Sequence, residues 1–422
     1  MTAHLKRVGL GLVVATLTVG VLLSDPAVSQ AMDSSQTHPP IVIQSDSDFG
    51  TCTCVLGGSG TTSDPYVIGP WSINSVRGDA VFVDGTNLTK SFVLFNLTIA
   101  GNGVSSARGI VLQNINPSGN RATIRAAVFG AQTSIQSLGV GILVQTSREV
   151  TLDGVGANPA GPGISKYAGT INKNANGAID VEQSSHITVT GWQLSANGAD
   201  VEPDWVTLDP SVRYWGVRGV RFFGVTNSLI DHNAANNCTS VSYALFNSSH
   251  NTVSNNTADY PFILNFLVTA GSSYNMLINN EGGTADFIGL MVADPLPRTW
   301  TLKAFGPSHD NLIQGNIIHT NGPTGEEVHA GIAPAFLGGI MVLNGTYNNQ
   351  ITNNQAWGST GFDLTWAQVV PDSHSVIGVV TWPPTASCNV AASEGGGGVA
   401  NHNGNVWTGN TVRNIAPCIP PQ

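Results

Sequence analysis

Charge is what this 422-residue chain has least of: Asp, Glu, Lys and Arg make up 10% of it, as 26 acids against 16 bases, for a net charge of −10. So few bases beneath an excess of acids exclude nucleic acid and anionic membrane as partners, because both need a basic surface. Beyond the first 31 residues no stretch holds a 3.6-residue apolar period, so few helices are expected. No later apolar run is long enough to cross a bilayer either, so the mature chain has no transmembrane segment. Cys and Met are scarce, at five each, and no His-x-His or Met-rich cluster occurs. What is abundant is Gly, at 49 residues, beside 41% hydrophobic content. That balance describes a turn-rich but folded chain, too apolar for disorder.

The N-terminus reads as an export signal. Lys6 and Arg7 precede an apolar run over residues 8–23, Asp25-Pro26 breaks it, and Ser29-Gln30-Ala31 offers the small residues a signal peptidase reads. The run is short for an uncleaved anchor. Residues 1–31 are therefore expected to be removed and the mature chain secreted, with 32–75 as N-terminal linker and cap, 76–380 as the main body, and 381–422 as last coil and C-terminal cap.

The main body repeats one phrase, Asn-x-apolar-x-x-Asn. It stands as Asn251-Thr-Val-Ser-Asn-Asn256, Asn275-Met-Leu-Ile-Asn-Asn280, Asn311-Leu-Ile-Gln-Gly-Asn316, Asn349-Gln-Ile-Thr-Asn-Asn354 and Asn405-Val-Trp-Thr-Gly-Asn410, with a variant at Ser228-Leu-Ile-Asp-His-Asn233. The closing Asn falls at 233, 256, 280, 316, 354 and 410, a basic step of 23 or 24 residues lengthened by insertions. Such a period is the mark of a solenoid. An apolar residue between polar ones is a short strand, and Asn tolerates the left-handed conformation that turns a corner, so the closing Asn is expected to be that residue. Stacked coil on coil, the Asn amides donate and accept along the column. The fold expected is all-β, a single-stranded right-handed parallel β-helix with N- and C-terminal caps.

A second column agrees. Short runs at Gly141-Ile-Leu-Val, Gly177-Ala-Ile-Asp-Val, Gly216-Val-Arg-Gly-Val, Phe287-Ile-Gly-Leu-Met-Val and Gly339-Ile-Met-Val-Leu read as strands, each followed by a polar turn. A β-sandwich or propeller also has many short strands, but neither explains an Asn column. A solenoid grows by adding coils, so one elongated domain accommodates the length.

Of the five cysteines, Cys388 and Cys418 flank the last coil and are the expected disulfide. Cys52 and Cys54 are one residue apart, so a bond between them is expected to be strained. Cys238 is expected as a small core residue.

The segment after the leader carries a resemblance. Ile41-Val-Ile-Gln-Ser-Asp-Ser-Asp-Phe49, Gly57-Gly-Ser-Gly-Thr-Thr-Ser-Asp-Pro-Tyr-Val-Ile68 and Trp71-Ser-Ile-Asn74, followed by the Asn-marked repeats, resemble exported parallel β-helix proteins of the NosD-like group, within the pectate-lyase-like superfamily. The resemblance runs from about residue 41 to 414 and implies the fold; the group's association with copper delivery to an exported reductase implies a metal-accessory role as one alternative. His186, His250 and His309 each follow a Ser at a turn and share one expected edge, although their offsets to the next Asn phrase differ. Imidazole is a suitable copper ligand.

The preferred expectation is an extracellular protein that binds or processes polysaccharide, and if catalytic, a polysaccharide lyase or glycoside hydrolase. Such chemistry needs carboxylates facing the bond, or Ca²⁺ ligands beside a base. The Asp-Asp, Gly-His-Gly and Arg-Ile-Lys patterns of polygalacturonases are absent. Ser228-Leu-Ile-Asp-His-Asn233 resembles the Trp-Ile-Asp-His strand of pectate lyases, whose Asp binds calcium, but Leu229 replaces the Trp. On residues 178–183, period-two alternation puts Asp180 and Glu182 on one face, and the next long strand carries Arg218 and Arg221. These four are the candidate catalytic residues, with a cross-strand ion pair as the plainer reading. Asp200, Glu202, Asp204, Trp205 and Trp215 of the intervening acidic loop, with Tyr243, are candidate substrate contacts, since aromatic faces beside acids suit a sugar. Asp231, Asp259 and Asp286 are candidate Ca²⁺ ligands, the last two in Asp-aromatic pairs about one coil apart that are expected to stack. The third alternative is a structural surface module.

Overall fold

The computed structural model describes residues 36–104, 106–115, 122–125, 134–155, 169–197, 217–261, 263–293, 306–322, 338–343, 345–360, 362–370, 379–381 and 404–413. The chain divides into two compact units, 1–32 and 33–422. The first, and the expected leader with it, lies outside the described residues.

Three sheets make up the described residues of the second unit. Sheet 1 has twelve strands and begins with Ile41–Ser45 and Asp79–Asn87; sheet 2 has twelve and begins with Val55–Gly57 and Tyr66–Ile68; sheet 3 has eleven and begins with Trp71–Val76. A coil visits them in turn, as in Val241–Phe246, Thr252–Ser254 and Thr257–Asp259, and each of these strands pairs in parallel with its counterpart one coil on. This is the expected right-handed parallel β-helix, and parallel pairing from coil to coil is what a sandwich or propeller lacks. Antiparallel pairing occurs at the two ends, between Val55–Gly57 and Tyr66–Ile68 and between Leu364–Val370 and Val379–Thr381. The described residues of all five runs singled out in the second sequence column lie in or directly beside strands of sheet 1.

The core is stacked by register. On sheet 1, Val81, Ile110, Ile142, Ile179, Val220, Tyr243, Phe266, Leu290, Ile340 and Leu364 pair successively and are buried. The apolar residues of the Asn phrase form the matching row on sheet 2, from Ile230 through Val253, Leu277, Ile313 and Ile351 to Trp407. Burial of each aliphatic side chain contributes about 1.5–3 kcal/mol.

Two buried Asn columns flank sheet 2. Asn251, Asn275, Asn311, Asn349 and Asn405 form one, and Asn233, Asn256, Asn280, Asn316, Asn354 and Asn410 the other. After the first Asn of each column, Oδ1 accepts twice from the preceding coil, as where Asn256 Oδ1 takes the Asn233 backbone N–H and Nδ2, both at 3.0 Å. Each Nδ2 also donates to an earlier backbone carbonyl, as Asn256 does to Ile230 at 2.9 Å. The left-handed residue, however, is not the column Asn but the one before it: His232, Asn255, Asn279, Gly315, Asn353 and Gly409 have φ between 52° and 66°. The column Asn must turn its amide inward along the stack, and the exposed residue ahead of it makes the corner.

The N-terminal end is closed by a short helix, Asp46–Thr51, whose Phe49 is buried and stacks on Tyr66 with centroids 4.6 Å apart. Asp48 caps it by accepting from the backbone N–H groups of Gln44 and Ser45 at 2.7 and 2.8 Å. Beside it Cys52 and Cys54, one residue apart in sequence, are joined in a disulfide across Cα atoms 5.0 Å apart. That separation falls within the range a disulfide spans. Cys238 is buried as expected, and burial pushes its thiol up to about 12. The Cys388–Cys418 pair lies outside the described residues.

Candidate functional site

Asp180 and Glu182 project from the strand Gly177–Glu182 on the face of sheet 1 opposite Ile179 and Val181, as alternation requires. Register sets Asp180 against Arg221 of Val217–Phe223. The guanidinium grips Asp180 with two hydrogen bonds, Nε to Oδ1 at 2.8 Å and Nη2 to Oδ2 at 2.7 Å, and Nη2 also donates to Glu182 Oε1. Gln145 Nε2 supplies Glu182 Oε2 at 2.7 Å. Asp180 and Arg221 are 3% and 6% exposed, so this is a buried ion network with both carboxylates engaged. Arg218 turns elsewhere, donating to the Ala175 carbonyl at 2.7 Å, and burial pushes its guanidinium below the usual range.

Two further expectations need correction. Tyr243, a candidate substrate contact, belongs to the inward row of sheet 1, stacked on Phe266 with centroids 5.3 Å apart and its hydroxyl donating to the Thr257 carbonyl. Its strand is apolar on both faces, so composition alone gave no sign of which way it points. Asp259 and Asp286 do not stack, because Asp259 pairs with Gly283 and Phe287 is buried. Asp200, Glu202, Asp204, Trp205 and Trp215 lie outside the described residues.

The candidate metal ligands are not brought together. Asp231 is on sheet 2, Asp259 on sheet 3, and Asp286 in the segment between Glu281–Gly283 and Ile288–Val292. Partial burial pushes the Asp231 carboxyl up, but hydrogen bonds from Asn255, Ser254 and His232 outweigh it and hold it low. Asp259 accepts from Thr284 Oγ1 at 2.6 Å. Among the described residues no group of three or more His, Cys, Asp or Glu converges as a metal site.

The turn from sheet 1 to sheet 2 holds what the sequence reading only partly found. Ser249, Ser273, His309 and Tyr347 are bridged in sequence from coil to coil, each followed by a left-handed residue: His250, Tyr274, Asp310 and Asn348. Four rings come into contact across these four coils. His250 stacks on Tyr274 at 5.1 Å between centroids, Tyr274 meets His309 edge-on at 5.8 Å, and His309 stacks on Tyr347 at 4.6 Å. Tyr274 is 52% exposed and Tyr347 36%. Near-parallel rings at such separations are offset rather than eclipsed, which leaves part of each face uncovered by its neighbour. The differing offset of His309, a mark against an imidazole column, is what seats its ring over Tyr347. The missed signal was an aromatic one or two residues ahead of Asn251, Asn275, Asn311 and Asn349, with Tyr alternating with His.

A smaller aromatic pair lies on sheet 3. His319 stacks on Trp357 at 5.4 Å, with Nε2 3.4 Å from Glu281 Oε1. Gly283 makes room for it: a Cβ there would meet His319 Cε1 at 2.5 Å and Asp259 Oδ1 at 2.9 Å.

No family model matches the chain, and no curated protein matches it. Among solved structures, the periplasmic alginate epimerase AlgG is similar over 78% of this chain and 72% of that one, at 12% identity and a TM-score of 0.34. Its T265N mutant gives 73% and 66%, at 11% identity and a TM-score of 0.31. DFA-IIIase from Arthrobacter chlorophenolicus A6 in complex with GF2 is similar over 74% of this chain and 75% of that one, at 13% identity and a TM-score of 0.34. Likeness this distant carries no argument about function, and the fold rests on the strand register itself.

Proposed function

We propose that this is an exported parallel β-helix protein that binds an extracellular polysaccharide along the edge formed by His250, Tyr274, His309 and Tyr347. The observation that carries the reading is the unbroken run of partly exposed rings across four successive coils. Sugar rings present C–H faces that pack on aromatic faces while their hydroxyls bond to Tyr and His edges. Coils in a parallel sheet repeat every ~4.8 Å, so the platform is periodic, as a polymer is. Two of the four ring-bearing residues, His250 at φ 57° and Tyr274 at φ 55°, stand in left-handed backbone, a position held in neighbouring coils by Glu149, His186, Asn227, Asp310 and Asn348.

Binding is proposed rather than cleavage, because Arg221 already holds Asp180 and Glu182, and a hydrolase needs one carboxylate ready to protonate the leaving oxygen. The NosD-like copper-accessory alternative would use the imidazoles of the same edge. Tyr274 stands between His250 and His309, which supports a sugar over a metal. The test is a polysaccharide binding screen on the mature protein beside a Tyr274→Asn/Tyr347→Ala variant. Loss of binding in the variant is the expected result; equal binding by both, or none by either, sinks the proposal.

A further inference from the structure

The surroundings of the ring ladder bear on which polysaccharide it takes. From Phe222 to Val412 the sequence contains two basic residues, Arg298 and Lys303, against eleven Asp and Glu. Both bases lie outside the described residues. The ladder's own turns, 247–251, 270–275, 306–311 and 345–349, contain no Lys or Arg at all. They do contain Asp310, whose Oδ2 lies 2.7 Å from His309 Nδ1. Along the bridged column the first base is Arg148, reached from Ser249 through Thr226 and Ser185. Three coils are about 14 Å at the spacing of a parallel sheet, well beyond the ~8 Å over which exposed charges act at physiological salt.

A polyuronate laid along this edge carries a carboxylate on every sugar. Each would find no fixed cation beside it among the described residues, one carboxylate at Asp310, and a protein of net charge −10 behind. Unpaired like charges at close range oppose binding. An uncharged sugar meets no such opposition. Its hydroxyls donate to Asp310 and exchange hydrogen bonds with the Tyr274 and Tyr347 hydroxyls, while its C–H faces lie on the rings.

We propose that the edge selects an uncharged polysaccharide, lying along the solenoid axis so that successive sugars follow successive coils. This rests on the glycan reading above and narrows it. The experiment is affinity electrophoresis and calorimetry at about pH 8, with neutral polymers (β-glucan, mannan, xylan) and polyuronates (polygalacturonate, alginate). Three proteins are compared: the mature chain, Tyr274→Asn/Tyr347→Ala, and Arg298→Gln/Lys303→Gln, each checked for folding by circular dichroism. The expected result is a neutral polymer bound, at least tenfold more weakly by the Tyr variant and unchanged by the Arg298/Lys303 variant, with polyuronates retained at least tenfold less. A polyuronate bound as tightly as any neutral polymer, and lost in the Tyr variant or in the Arg298/Lys303 variant, overturns the selection of uncharged sugar. Binding of every polymer unchanged in the Tyr variant, or no binding at all, overturns the ladder as the site, which is a separate failure.

Discussion

Arg221 and Asp180 face each other across adjoining strands of sheet 1 with two parallel hydrogen bonds, and the same guanidinium also reaches Glu182. One cation thus serves two carboxylates at a site nearly closed to water. Removing it strands both. We expect Arg221→Met to destabilise the protein by about 3–5 kcal/mol, the cost typical of an uncompensated buried charge. Adding Asp180→Leu should restore part of that loss, leaving only Glu182 to be solvated. Urea denaturation of the singles and the double gives the coupling, and additive losses would show that the pair does not interact as described.

The Asn columns make a stronger demand. In Asn256→Ala the backbone N–H and Nδ2 of Asn233 lose their acceptor and the carbonyl of Ile230 loses a donor, all in the interior. With each orphaned group costing about 1–3 kcal/mol, a loss of roughly 2–4 kcal/mol is expected after relaxation. Asn255→Ala, at the exposed corner next to it, should cost less, about 1–2 kcal/mol for a left-handed alanine, its exposed hydrogen bond to Asp231 adding little. Equal losses at the two positions would contradict the assignment of amide column and corner residue.

Much of this architecture was legible because one periodic signal served two purposes. The Asn phrase marks both the column and the core row, so Val253, Leu277 and Ile313 could be placed inward from spacing alone. The Asp180–Arg221 pair was readable too, since alternation fixes the face and the next long strand supplies the base. Tyr243 was not, because its strand Val241–Phe246 is buried on both faces and lacks the alternation that tells inside from outside. The ring ladder was half seen. Its imidazoles were noticed as a misaligned column, whereas contact requires only that neighbouring rings reach each other, and long side chains absorb a one-residue offset that backbone register does not.

Asp84 should contribute to the loss of stability in acid. Partial burial pushes its carboxyl up, but hydrogen bonds from Thr86, Gln113 and Asn114 outweigh that and hold it at about 2, below its ordinary 3.8. A carboxylate with a depressed folded-state value contributes stability that is present above the unfolded value and is lost as pH falls through the folded one. The loss therefore falls between about pH 4 and pH 2. Asp84→Asn should flatten the dependence of melting temperature on pH in that window relative to the parent protein; an unchanged slope would remove Asp84 from the account.

Tyr274 offers the sharpest separation of folding from function. Its left-handed backbone costs roughly 1–2 kcal/mol that glycine would not incur, while its stacking on His250 returns about 0.5–1.5 kcal/mol. These nearly cancel, so Tyr274→Gly should leave the stability within about 1 kcal/mol of the parent, with glycine's greater freedom in the unfolded chain as the opposing term. Polysaccharide binding should fall at least tenfold, because the ring at the centre of the ladder is gone and His250 is cut off from His309. A purely structural ladder predicts the reverse: a clear drop in melting temperature with no change in retention on any polymer. Thermal denaturation and affinity electrophoresis on the same two proteins decide between them, since one role moves only the first measurement and the other only the second.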